Sequence, residues 1–317
     1  MRKALIVGVN YYKTANPLFG CVNDAYAVKS VLDRHSDGTI NFGVNLRVAA
    51  GVDSLLSRKE LKDLVQALFS DDSSIALFYF SGHGHIESTG GYLITSECTD
   101  GDDGLPMNEL LQIANDSPAR NKVIILDCCH SGIAGNPNIK DDKAILNEGI
   151  TILTASSATQ YAIEENDTGV FTNLLIDALN GSASNLVGDV TPGSIYAHID
   201  QSLGPWEQRP LFKTNVKSFT TLRKVQPPIS LADLKRITEL FPKKGEDFVL
   251  DPSYEPESEN PIVENMEKFA ILQKYNRLNL VVPVGEEHMY FAAINSKSCK
   301  LTILGEHYWN LVKNERI

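Results

Sequence analysis

Residues 123–132 have the sequence Val-Ile-Ile-Leu-Asp-Cys-Cys-His-Ser-Gly, an unbroken apolar run that stops at two adjacent cysteines. Aliphatic residues without alternation are typical of a central parallel strand that is covered on both faces. The polar end of the stretch is therefore expected in the loop at the carboxyl end of that strand. Open α/β sheets bind their ligands at this edge.

A second apolar run, residues 74–80, has the same form and is followed by Ser-Gly-His-Gly-His at residues 81–85. If the two runs form neighbouring parallel strands, a thiol and an imidazole lie side by side at one edge of the sheet. Such a pair suits nucleophilic catalysis, because an isolated cysteine is only a few per cent thiolate at neutral pH and a nearby imidazole raises that fraction.

Three other interpretations of the same residues stay open at this point. Cys128 and Cys129 could form a vicinal disulfide, His83 and His85 could bind a metal together with the cysteines, or the thiols could be buried and inert. The five cysteines are an odd number at irregular spacing, which favours a reducing compartment over a disulfide framework. The sequence also lacks the Cys-x-x-Cys pairs that are typical of structural zinc sites.

The motifs at residues 80–84 and 127–132 resemble those of the caspase/metacaspase clan of cysteine peptidases, and the metacaspases match better. The resemblance implies a caspase-haemoglobinase-like α/β/α sandwich around a mostly parallel six-stranded sheet. It also implies a Cys-His dyad, with Cys129 as the nucleophile and His83 as the base. The backbone amides of Gly84 and Cys129 would form the oxyanion hole.

The same resemblance implies a pocket for the residue before the scissile bond, because metacaspases carry Cys-x-x-Asp where this chain has residues 21–24. Two carboxylates in one cleft suit a guanidinium or an ammonium group, so Arg or Lys is the expected cleavage residue. For Asp24 the simpler interpretation is a helix N-cap formed by Asn23 or Asp24. The pocket residues would be Cys21, Asp24, Ser81 and Asp127.

The chain has 317 residues and a formal net charge of −11, which disfavours nonspecific contact with nucleic acid or an anionic membrane. Neither a signal-peptide pattern nor an apolar run long enough for a bilayer is apparent, so we expect a cytoplasmic protein. Residues 100–103 read Asp-Gly-Asp-Asp, and calcium-activated metacaspases make Ca²⁺ a candidate cofactor there, although the spacing matches no known calcium loop. No other cofactor is predicted.

The resemblance covers residues 2–224 and implies a peptidase domain at 1–224. It comprises a large-subunit-like part at 1–132, a linker loop at 133–148 and a small-subunit-like part at 149–224. Lys140 and Lys143 in the loop would suit the acidic pocket as self-cleavage sites.

Paired prolines at 227–228 indicate a boundary, so residues 225–317 are expected to form a linker and a separate C-terminal module. There the pattern predicts a long helix at 262–282, a strand at 289–294 and a helix at 302–312. This succession resembles a winged-helix-like α+β module. Because this stretch is acidic overall and its basic residues are scattered, we expect it to bind a small-molecule or protein activator rather than DNA.

Two hypotheses about function result. The first is a regulated cytosolic endopeptidase that cuts protein substrates after exposed Arg or Lys, in stress or antiviral signalling by analogy with bacterial caspase-like proteins. The second is a catalytically silent caspase-fold interaction protein that acts through its C-terminal module. The intact cysteine and histidine motifs favour the enzyme.

Overall fold

The computed structural model describes residues 1–128, 145–155, 164–165, 168–204 and 209–317. The chain divides into two compact units, Met1–Gln226 and Pro227–Ile317. Among the helices of the described ranges, none combines the length and the apolar character that a bilayer crossing requires.

The first unit is built on a central six-stranded sheet. The strands of this unit are, in chain order, β1 (Arg2–Val9), β2 (Gly43–Ala49), β3 (Ile75–Ser81), β4 (Gly84–Glu87), β5 (Gly90–Leu93), β6 (Leu105–Pro106), β7 (Asn121–Asp127), β8 (Ile150–Thr154), β9 (Glu164–Glu165), β10 (Thr168–Gly169), β11 (Asp189–Val190), β12 (Leu211–Asn215) and β13 (Arg223–Lys224). The central sheet has the order β12-β8-β7-β3-β1-β2. Only β12 is antiparallel to its neighbour within this sheet. The predicted mostly parallel six-stranded sheet is therefore confirmed.

Helices cover both faces of this sheet. They are α1 (Cys21–Leu32), α2 (Arg58–Phe69), α3 (Met107–Asn115), α4 (Val170–Asp177), which continues into a π-helical turn, and α5 (Pro192–Ser202). Helices α2 and α3 share one apolar cluster with alternate residues of β3 and β7, whereas α1, α4 and α5 share the other cluster with the remaining residues. Burial on both faces explains why these two strands are continuously apolar, and the α/β/α sandwich is confirmed.

Helix α1 begins earlier than the sequence pattern predicts. Its N-cap is Gly20, so the prediction that Asn23 or Asp24 caps the helix is wrong. Asp24 lies in the first turn and is buried, and its carboxylate accepts hydrogen bonds from Ser81 and Gly169. The helix therefore starts before Asn23 and Asp24, and the Asp24 carboxylate binds donors from distant parts of the chain.

The second unit contains a three-stranded antiparallel sheet with the order β14-β16-β15. Its elements are α6 (Leu231–Lys235), α7 (Ile237–Leu240), β14 (Phe248–Val249), α8 (Val263–Arg277), β15 (Val281–Val284), α9 (Met289–Ile294), β16 (Ser298–Leu301) and α10 (Ile303–Lys313). The predicted C-terminal helix is confirmed. The predicted long helix ends at Arg277, because Asn279 has a left-handed backbone conformation (φ 55°) and the chain then enters β15.

The prediction of a strand at residues 289–294 is wrong, since these residues form α9. Met289, Ala292 and Ala293 are buried at helical spacing, whereas Tyr290 and Phe291 are exposed. A six-residue apolar run does not distinguish a short helix from a strand, and tertiary contacts selected the helix here. The winged-helix-like succession includes a strand at this position, and the structure has a helix there instead.

Candidate active site

The two apolar runs that ended in polar motifs are neighbouring parallel strands. In the pairing of β3 with β7, Ser81 lies opposite Asp127. The N–H of Gly82 also donates to the carbonyl oxygen of Asp127 at 3.3 Å. The histidine motif therefore starts directly beside the end of the strand that precedes the two cysteines, as predicted.

Two buried carboxylates meet at this edge, on the face of the sheet that carries α1 and α4. The hydroxyl of Ser81 donates to Asp24 Oδ2 at 3.2 Å, and the N–H of Gly169 donates to both oxygens of Asp24 at 3.1 and 3.2 Å. Thr172, in the first turn of α4, donates to Asp127 Oδ2 at 2.6 Å. The predicted residues Asp24, Ser81 and Asp127 thus lie in two hydrogen-bonded groups that meet at Gly169.

Gly169 shows how closely the two carboxylates approach each other. A Cβ atom on this residue would lie 2.5 Å from Asp127 Oδ2 and 3.0 Å from Asp24 Oδ2. Both oxygens therefore face the same point in space, and only a glycine fits between them without displacing one of them. The arrangement concentrates negative charge in a small volume.

The negative charge of Asp127 fixes the direction in which the neighbouring hydroxyls donate their hydrogen bonds. Tyr79 Oη lies 2.5 Å from Thr172 Oγ1, and because the Thr172 hydrogen is donated to Asp127, Tyr79 must donate to Thr172. Complete burial, followed by the negative charges of Asp127 and Asp24, raises the pKa of Tyr79 well above its ordinary value. Tyr79 therefore stays protonated and donates to Thr172, which in turn donates to Asp127.

His83 is held in place by Tyr12 and Asn16. The backbone N–H of His83 donates to Tyr12 Oη at 2.8 Å, and Tyr12 in turn donates to the carbonyl oxygen of Val9 at 3.2 Å. The two rings lie 4.6 Å apart, centroid to centroid. Burial raises the pKa of Tyr12 well above its ordinary value, so its hydroxyl keeps its proton.

The partner of the His83 ring decides which nitrogen can act as a base. His83 Nε2 lies 2.8 Å from the carbonyl oxygen of Asn16, and a carbonyl can only accept a hydrogen bond. Nε2 must therefore carry the hydrogen. In the neutral ring Nδ1 is left with its lone pair, which is the form that a general base needs.

Gly84 follows His83 and begins β4, where it pairs with Leu93 of β5. Cys21 is the first residue of α1, and it is buried where its carbonyl oxygen packs on Gly8 of β1. Their predicted roles in the oxyanion hole and in the pocket stay predictions. The same holds for Cys129, because this residue, Lys140 and Lys143 lie outside the described residues.

Cys128 is 1% exposed and belongs to the apolar cluster on the face that carries α2 and α3. Asp127 immediately before it points to the opposite face and binds Thr172 of α4. Side chains therefore alternate between the two faces of the sheet through Cys128, one residue beyond the end of β7.

In the predicted calcium loop, two of the three carboxylates accept hydrogen bonds from within the loop. Asp103 Oδ2 accepts hydrogen bonds from the N–H and the hydroxyl of Thr99 and from the N–H of Asp100, and Asp100 Oδ1 accepts from the N–H of Gly101. Within the described ranges, no group of three or more His, Cys, Asp or Glu side chains is arranged to hold a metal ion. Calcium binding at this loop therefore stays a prediction.

The sequence analysis missed four residues of this site: Tyr12, Asn16, Gly169 and Thr172. Gly169 and Thr172 fall in a Gly-Val-Phe-Thr stretch, where a small residue and a hydroxyl at the start of a helix are a recognisable signal. No sequence pattern identifies Asn16, because its contribution is a backbone carbonyl.

Comparison with known proteins identifies the class. The family model described as the caspase domain matches residues 1–227, so the chain belongs to the caspase domain family. The resemblance to the caspase/metacaspase clan is thereby confirmed.

The curated relatives are metacaspases. Metacaspase-1 of Lodderomyces elongisporus is 28% identical over 199 residues, which are 55% of this chain and 43% of the relative. Metacaspase-1 of Scheffersomyces stipitis is 26% identical over 215 residues, which are 59% of this chain and 48% of the relative. The chain thus matches less than half the length of either protein.

Solved structures agree with the fold. Caspase-1 of Spodoptera frugiperda aligns with a TM-score of 0.51 at 13% identity and covers 71% of this chain and 90% of the caspase. Protein GSU0716 of Geobacter sulfurreducens aligns with the same TM-score at 18% identity, and the alignment covers 71% of this chain and 97% of GSU0716.

Proposed function

We propose that this protein is an active cysteine endopeptidase that cuts protein substrates after Arg or Lys, with Cys129 as the nucleophile and His83 as the base. The observation that carries the proposal is the pair of buried carboxylates, Asp24 and Asp127, which face one point beside Gly169. A guanidinium or ammonium group is the complement of such a pair, since charge-assisted bonds to carboxylates are strong in a desolvated pocket. An acidic side chain there would be repelled.

In the proposed reaction His83 Nδ1 removes the proton of the Cys129 thiol, and the thiolate attacks the carbonyl carbon of the scissile bond. The backbone amides of Gly84 and Cys129 stabilise the oxyanion that forms. The imidazolium then returns its proton to the amine as the C–N bond breaks. Water hydrolyses the remaining thioester, with His83 again acting as the base.

Two features support this assignment of roles. The bond from His83 Nε2 to the Asn16 carbonyl leaves Nδ1 as the nitrogen available for proton transfer. Burial of Cys128 in the apolar cluster removes it as a competing nucleophile. Cys129 is then the remaining thiol of the motif.

The test uses the purified full chain and short fluorogenic peptides that end in Arg, Lys or Asp. We expect cleavage of the Arg and Lys peptides, no detectable cleavage of the Asp peptide, and loss of all cleavage in Cys129→Ala and in His83→Ala. Cleavage that persists in Cys129→Ala would refute the catalytic assignment. A preference for the Asp peptide would refute the pocket.

We also propose that the C-terminal unit regulates the peptidase by binding a small-molecule or protein activator. A peptidase with this preference would find exposed Arg and Lys on nearly every cytoplasmic protein, so a restraint is needed. The test is a truncation after Gln226, which keeps Val225, because Val225 is buried and its N–H donates to Gly188. A folded truncation with the basal activity of the full chain, and the same response to cell extract, would remove this regulatory role; a function in stress or antiviral signalling stays a prediction.

A further inference from the structure

A second cleft, of about 500 Å³, adjoins His83. Its walls come from residues 14–16, residues 83–85 and parts of 94–101. His83 is therefore shared between the catalytic edge of the sheet and a cavity that the acidic pair does not line.

Hydrogen bonds within the protein connect the segments that form the walls of this cleft. The N–H of Lys13 donates to the carbonyl oxygen of Ser96 at 2.9 Å, and the hydroxyl of Thr14 donates to the carbonyl oxygen of Cys98 at 2.6 Å. On the other side, Gly101 packs directly on the ring of His85, where a side chain would have no room. The cavity is thus built into the fold, as binding sites usually are.

The position of the cleft indicates what would occupy it. Asp127 and its partner Thr172 lie on the α1 and α4 face, whereas Ile94 and Cys98 of the cleft belong to the cluster of the α2 and α3 face. In peptide hydrolysis the residue before the scissile bond and the leaving amine lie on opposite sides of the attacked carbon. His83 must also reach the amine to protonate it, so the residue after the scissile bond has to lie beside His83.

The charge of the cleft indicates which side chain it favours. Among the described residues that line the cleft, Asp100 is the only Asp, Glu, Lys or Arg. Asp100 is exposed, and its Oδ1 accepts the N–H of Gly101. The nearby imidazole of His85 is held by Glu87, with 2.8 Å between Nε2 and Oε1. The local charge is therefore negative.

We propose that this cleft is the subsite for the residue that follows the scissile bond, and that Asp100 makes it favour a basic side chain there over an acidic one. The inference rests on the proposed function, since it needs a peptidase with a cleavage residue in the acidic pocket. Asp100 acts as a specificity residue and takes no part in the bond-breaking steps.

The test uses the full chain and internally quenched peptides in which Arg is followed by Lys, Ala or Glu, with the cut position established by mass spectrometry. We expect kcat/KM for cleavage after Arg to be about tenfold higher with Lys than with Glu, as suits attraction and repulsion by one exposed carboxylate. In Asp100→Asn, which retains an oxygen for the Gly101 N–H, this ratio should fall to about twofold. Asp102→Asn, two residues away, exposed and not in the lining, is the matched control and should keep the wild-type ratio.

The outcomes separate the two proposals. Cleavage after Arg with the same Lys-to-Glu ratio in all three proteins would overturn the subsite and leave the proposed function intact. An equal drop in both variants would show a general charge effect and would overturn the role of Asp100. Absence of cleavage after Arg in the wild-type protein would overturn the proposed function, and the subsite with it.

Discussion

The two faces of the central sheet differ where β3 and β7 end. On the face that carries α1 and α4, the strands end at Ser81 and Asp127. These two residues form buried hydrogen bonds with Asp24 and Thr172, respectively. The same strands stay apolar to their ends on the other face, where Cys128 lies within the core. Because side chains alternate along a strand, consecutive residues serve opposite faces, so substitutions one residue apart should affect function very differently.

The largest contrast is expected between the two cysteines. Cys129→Ala should abolish cleavage of Arg peptides, with a loss of several orders of magnitude, because it removes the proposed nucleophile. Cys128→Ala should keep most of the activity and cost only about 1 kcal/mol of stability, since it removes one small buried group from the apolar cluster. Steady-state kinetics and urea unfolding of both variants measure this. Equal loss of activity in two folded variants would break the comparison.

The second largest effect on kcat/KM is expected when either carboxylate of the acidic pair, Asp24 or Asp127, is neutralised. Asp127→Asn or Asp24→Asn should lower kcat/KM for Arg peptides by more than about tenfold, because the cation loses more than about 1.4 kcal/mol of stabilisation in a buried pocket.

Asp53→Asn is the control for the acidic pair, since Asp53 is exposed and lies in the 3₁₀ turn Val52–Ser54 that follows β2. Its kinetics should match those of the wild-type protein. If all three variants cleave Arg peptides equally well, the carboxylates do not form the pocket.

Tyr12 belongs to the apolar cluster of the other face, and its hydroxyl accepts a hydrogen bond from the backbone N–H of His83. Tyr12→Phe should lower kcat by about three- to tenfold and leave KM nearly unchanged, because a lost hydrogen bond of about 1 kcal/mol loosens the base but not the pocket.

Tyr11→Phe is the matched control for Tyr12. Among the described residues the Tyr11 side chain forms no hydrogen bond, although its backbone pairs with Ala49. A rise in KM with constant kcat in Tyr12→Phe would contradict the positioning role.

The smallest kinetic effect is expected at Thr172, which relays hydrogen bonds between Tyr79 and Asp127. Thr172→Val leaves two buried polar groups without this partner and should cost about 1–3 kcal/mol of unfolding free energy, with a rise in KM of only about two- to fivefold. Thr172→Ser keeps the hydroxyl and should restore most of both quantities. If Val and Ser behave alike in urea unfolding, the relay does not stabilise the pocket.

Much of the catalytic unit could be predicted because its signals are local. Continuous apolar runs gave β3 and β7, and the parallel pairing of two such runs followed from the requirement that both faces be buried. The same kind of signal failed at 289–294, where six apolar residues form α9, because a run this short fits either element and the packing of Met289 and Ala292 decided.

By itself, the sequence determined the fold class, the order of the two motifs along the chain and the types of residue available for catalysis, since each is written in consecutive residues. The tertiary structure alone brought Gly169 between the two carboxylates, directed the Asn16 carbonyl to His83 and joined the Asp24 carboxylate to Ser81 and Gly169. Those contacts join segments far apart in the chain, and one of them uses a backbone oxygen that every residue possesses. Their geometry depends on how helices pack on the sheet, which no local pattern specifies.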